Sequence, residues 1–172
     1  MLDSITAPAT VQNQRMDLLG ANQLGRALCA QMLEDPTQPP SFARFNFLDP
    51  RAHDFHGDWE QAARNNVALL HAAAARDPHD QVPINLIGQL STQSDAFRTL
   101  WASHHVLKYR SGAKHYRHPL VGDLTFGFEA FDIATDPGQS MTILTVEAGS
   151  PSEEALNLLA GWTAAQLSIQ TA

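Results

Sequence analysis

An α+β fold, with an antiparallel sheet, helices packed on one face of it and a helix at the C-terminus, is what this sequence predicts, and three observations predict it. Apolar residues recur at three- and four-residue steps up to about Trp101, the period changes to two from Val106 onward, and the helical period returns after Ser150. With 172 residues, 44% hydrophobic and 17% charged, the chain can bury one core, so residues 1–172 are read as a single domain.

The first 15 residues are polar and carry Pro and Thr, and they read as a lead-in. Leu18 to Asn22 reads as a short strand that turns directly into a helix, with Leu24, Ala27, Leu28 and Met32 at helical spacing. Three prolines in "EDPTQPPSF" break the pattern. A long helix from about Trp59 to Arg76 follows, with Asp58 as N-cap, Gln61 three residues on, and Trp59, Ala63, Val67, Leu70 and Ala74 on one face. After the "DPHDQVP" breaker, "INLIGQLST" reads as a short helix, and Ser94 caps another on which Phe97, Trp101 and His104 share a face.

"VLKYR", "KHYRH", "LTFGFEAFDI" and "MTILTVEA" then alternate as strands of a three- or four-stranded sheet, with "RSGA", "PLVGD" and "TDPGQ" as turns. Ser150, Pro151 and Glu153 form a capping-box start for a final helix carrying Leu156, Leu159, Ala160 and Leu167. Helices on one face of a sheet leave room for a cavity between the layers.

The net charge of -7 removes any general electrostatic attraction to DNA, RNA or an anionic membrane. The single cysteine, Cys29, belongs to no CxxC pair and sits in an apolar helical run, so it is expected as a small buried hydrophobe in a reducing, cytoplasmic setting. No apolar run is long enough to span a membrane, and the N-terminus lacks the regions of a signal peptide.

Between Phe97 and Leu124 lie four of the eight histidines and a run of basic residues. A metal site is disfavoured because His115 and His118, three apart on a strand, point to opposite faces, and neither HExxH nor a second cysteine is present. GxSxG, GxxxxGK[ST] and GxGxxG are absent, so the chain is read as a non-enzyme without catalytic residues, metal or cofactor. Lys108, Arg110, Lys114 and Arg117, interleaved with Tyr109 and Tyr116, are read as a mostly solvated basic face rather than a nucleic-acid interface. There remains the wall of a pocket, towards which the Phe97/Trp101/His104 face would turn.

"FLDPRAHDFHGDWEQAARNNVALL", "DQVPINLIGQLSTQSDAFRTLWASHHV", "SGAKHYRHPLVGDLTF" and "EAGSPSEEALNLLAG", in that order, closely resemble the ligand-binding domain of MmyB-like transcription regulators, and the likeness runs to about Leu167. The resemblance implies a PAS-like domain of a bacterial regulator that binds a small apolar ligand, with long-chain fatty acids the leading class. It also implies DNA contact only through a preceding helix-turn-helix domain of the xenobiotic-response type, which is expected to be absent from these residues.

On that basis Trp59, Val67, Leu70, Phe97, Trp101, Phe126, Phe128 and Leu144 are the expected tail contacts, each of them also a good plain core residue. Arg44, Arg64, His104 and His118 are the expected partners of a carboxylate head group. The competing expectation is a constitutive dimerisation or protein-interaction module with a filled core, for which Trp162 on the last helix offers a surface. A homodimer is compatible with either.

Overall fold

A computed structural model describes residues 2–35, 38–103 and 111–170. Five strands, β1 (Ala9–Gln12), β2 (Leu18–Ala21), β3 (Ser111–His118), β4 (Gly122–Asp132) and β5 (Ser140–Thr145), form one sheet in the order β2-β1-β5-β4-β3. Every neighbouring pair is antiparallel. Helices α1 (Gln23–Leu28), α2 (Ala30–Leu33), α3 (Phe42–Leu48), α4 (Arg51–Phe55), α5 (Trp59–Arg76), α6 (Gln81–Gln93) and α7 (Asp95–Ala102) precede β3, and α8 (Pro151–Gln170) ends the chain. The α+β class is therefore the observed one. No described helix is long and apolar enough to cross a membrane.

The sheet is larger than expected because the lead-in supplies β1. Its four residues carry no alternation of their own. They become a strand by pairing on both sides, Thr10 opposite Ala21 in β2 and opposite Thr142 in β5, so tertiary partners decide what local propensity does not. Asn22 fastens this segment to the first helix. Its side-chain oxygen accepts from the amides of Ala9 and Gly25, while its amide group donates to the carbonyls of Ile5 and Ala7. A Cβ on Gly25 would lie 2.5 Å from the carbonyl oxygen of Ala9, so glycine lets α1 approach the strand.

The expected caps are in place. Asp58 accepts from the amide of Gln61, Ser94 from Phe97 and Ser150 from Glu153. The Glu153 carboxylate reaches back to the amide of Gly149 rather than to Ser150. α6 starts three residues before the expected "INLIGQLST", because Asp80 caps it and Pro83 falls in the first turn, where a missing N–H costs nothing. Ser111 and Gly112, expected in a turn, pair with Glu129 and Phe128 within the sheet. The expected "VLKYR" strand lies outside the described residues.

Two apolar cores result. One packs Phe126, Leu124, Tyr116, Phe128 and Leu144 of the sheet against Leu28, Phe45, Phe55 and Leu156. The other is mainly helical and holds Val67, Leu70, Leu86, Leu90 and Phe97 around Ala43 and around Met16 from the β1–β2 turn. Helix α5 stands between them.

Candidate functional site

Helix α5 has two inward faces. Ala63, Val67 and Leu70 are buried against the helices. A second stripe, Asp58, Ala62, Asn65, Leu69, Ala72 and Arg76, advances by alternating steps of four and three and lines a cavity of about 1200 Å³. The opposite wall is the sheet, with Lys114 and Tyr116 of β3, Phe128 and Ala130 of β4, Thr142 and Leu144 of β5 and Thr10 and Gln12 of β1. Met16, Leu28, Cys29 and Phe42 contribute apolar surface. Asp58, Leu69, Ala72 and Arg76 are also exposed, so the cavity opens to solvent along α5. Its volume is that of a site for a sizeable organic molecule.

Polar side chains make up much of this lining, Asp58, Arg76 and Asp132 among them, and several have traceable positions. Lys114 pairs with Phe126 across the β3/β4 register, two residues before Tyr116 and four before His118, and so shares their inward face. Its Nζ lies 4.8 Å from the centroid of the Phe128 ring. Among the described residues it has no carboxylate partner. Burial pushes its pKa down to about 8, only partly offset by Cys29.

The chain leaving α4 is pinned beside Lys114. The Gly57 amide donates to the carbonyl of His115 at 2.8 Å, and His56 bridges to Tyr116. A Cβ on Gly57 would fall 2.8 Å from that of His115, so only glycine permits the approach. His56 is held near neutral pH as uncharged imidazole. Burial, with the Lys114 ammonium and His53 adding to it, pushes its pKa down to about 4. Its Nε2 meets Oδ1 of Asn46, whose Nδ2 donates to Oδ1 of Asn66 at 2.9 Å. Beside that row, Gln61 donates to Oδ1 of Asn65 at 2.8 Å. Cys29 is a buried thiol with its pKa pushed up to about 12 by burial, so it is inert at neutral pH.

Of the residues expected to touch a ligand, the structure places Phe128 and Leu144 on the cavity wall. Val67, Leu70 and Phe97 belong to the helical core, and Phe126 is buried in the sheet-side core without lining the cavity. Trp59 stacks on His53 with centroids 4.0 Å apart and donates from Nε1 to the carbonyl of Asn46. Trp101 stacks on His71 at 3.7 Å. The expected head-group partners are likewise engaged elsewhere. Arg44 binds Asp17 and Gln89 beside a separate hollow of about 450 Å³, and Arg64 pairs with Glu60 one turn back. His118 is buried, with one ring nitrogen at the carbonyl of Ala27 and the other at the amide of Leu120. Burial lowers its pKa, against the raising effect of the Ala27 contact. His104 lies outside the described residues.

One correction concerns the basic run. Arg117 is exposed as expected, whereas Lys114 turns into the cavity. The signal was present in "KHYRH", because Lys114 keeps the parity of Tyr116 and His118 and not that of His115 and Arg117. His115 and His118 do lie on opposite faces, one exposed and one buried. No cluster of three metal-ligating side chains occurs among the described residues.

The sequence model of the MmyB-like transcription regulator ligand binding domain matches residues 1–159. The chain belongs to that family. This MmyB-like domain is accordingly the ligand-binding domain of a transcription regulator, and the match spans every element that lines the cavity. No curated protein matches the chain.

Proposed function

We propose that this domain senses a long-chain fatty acid, held in the cavity between the sheet and α5 with its carboxylate at Lys114. The observation that carries the proposal is the ammonium of Lys114, set in the wall of a 1200 Å³ cavity with no acidic partner among the described residues. A partly buried cation without a counter-ion is costly, and an incoming carboxylate removes that cost. The strand order is compatible with the PAS-like fold that the family resemblance implies.

Magnitudes favour a ligand with both a tail and a charge. Burying about twelve methylenes supplies roughly 10 kcal/mol at ~0.8 each. Association costs at least ~4 kcal/mol, so the tail by itself falls short of micromolar affinity. A charge-assisted contact of ~1.5–3 kcal/mol closes that gap. Ligand occupancy then acts on DNA through a tethered helix-turn-helix domain, and it does so only as far as the acid binds two arrangements of the regulator unequally. The setting is cytoplasmic and the chemistry non-catalytic.

Native mass spectrometry of the purified chain, followed by organic extraction, tests the proposal. Retention of an aliphatic carboxylic acid is the expected result. An empty protein that takes up no fatty acid on titration overturns it. A second reading, a constitutive dimerisation module, rests on Leu158 and Trp162, which are exposed one turn apart on α8. The same spectra would then show a ligand-free dimer.

A further inference from the structure

We propose that the acid this cavity is built for is oxygenated, carrying a hydroxyl or keto oxygen part-way along its chain. The inference rests on the fatty-acid reading and narrows the ligand class. Its basis is a second polar station, apart from Lys114. Asn65 is 4% exposed, yet it lies on the cavity stripe of α5. Its Oδ1 accepts from Gln61, and its Nδ2 has no hydrogen-bond partner among the described residues.

Its neighbour Asn66 ends a directed row. His56 Nε2 points to Asn46 Oδ1, Asn46 Nδ2 donates to Asn66 Oδ1, and the donor left at the end of the row is Asn66 Nδ2. Two adjacent amide groups on the α5 wall thus have donor capacity to spare and acceptors already engaged. On the sheet wall the inward cross-strand pair Thr10 and Thr142 adds hydroxyls that also line the cavity. A plain methylene tail crossing this band leaves buried amide donors unpaired, which is unfavourable. A hydroxyl or keto oxygen accepts from them. A site made to hydrogen-bond a substrate oxygen rejects the analogue that lacks it more strongly than an apolar wall rejects an extra one.

The test is a titration of the full chain with stearic acid and with hydroxystearic and ketostearic acids that carry the oxygen at successive positions. One or a few positional isomers should bind roughly tenfold or more tightly than stearic acid, and Asn65→Leu should erase that preference. Lys114→Met should weaken all the acids alike. Equal binding of stearic acid and every oxygenated isomer would overturn the inference while leaving the fatty-acid reading intact. So would a preference that survives in both Asn65→Leu and Asn66→Leu. Failure of every acid to bind would overturn both. The isomer comparison on the unaltered chain remains decisive even if a variant folds poorly.

Discussion

Lys114 and His56 sit side by side and respond to pH in opposite senses. The free domain's Lys114 has a pKa of about 8, and a bound carboxylate favours its protonated form. Fatty-acid affinity should therefore be full below pH 8 and fall as pH rises past it, by up to about tenfold per unit, in calorimetric titrations from pH 7 to 10. His56 is depressed to about 4 in the fold, against the ordinary histidine value of 6.5. The unfolded chain thus binds its proton first as pH drops. The stability that His56 contributes is complete above about 6.5 and is lost towards 4, with His118 acting in the same direction. Urea unfolding of His56→Gln should show a flatter loss between those limits than the parent.

At the scale of elements, the molecule turns on α5 and the loop that starts it. Gly57 brings the end of α4 against His115, so Gly57→Ala should destabilise by about 1–3 kcal/mol in urea, since the added methyl meets a β-carbon rather than a mobile side-chain end. Phe97 fills the helical core and touches no cavity space. Phe97→Ala should cost about 3–5 kcal/mol of stability and leave fatty-acid affinity nearly unchanged, whereas Leu144→Ala should alter both. The long helix, its Asp58 cap, the α8 start and the alternation of β4 were legible, because caps and periods are local signals. β1 was not, since "ATVQ" becomes a strand only through partners far along the chain. The cavity face of α5 was hidden for another reason: Asn65, Asn66 and Gln61 look like solvent-facing polar residues until the sheet is placed opposite them.

For the whole molecule, the division of labour between two cores and one cavity explains why candidates chosen for hydrophobicity fell mostly in the cores. Hydrophobicity marks what is buried. The proposed site is marked instead by polar groups with capacity to spare on a cavity wall, here the Lys114 ammonium and the Nδ2 of Asn65. A ligand that binds only the folded chain should stabilise it by mass action, about 2.7 kcal/mol at a hundredfold excess over Kd, so the Tm should rise with palmitate concentration. The most direct measurement is a calorimetric titration of palmitate into the chain and into Lys114→Met at pH 7, with folding of both checked by circular dichroism. Micromolar binding to the parent and a roughly tenfold to hundredfold weaker Kd in the variant is the predicted result. Equal affinity in the two, or no heat from either, would contradict the account.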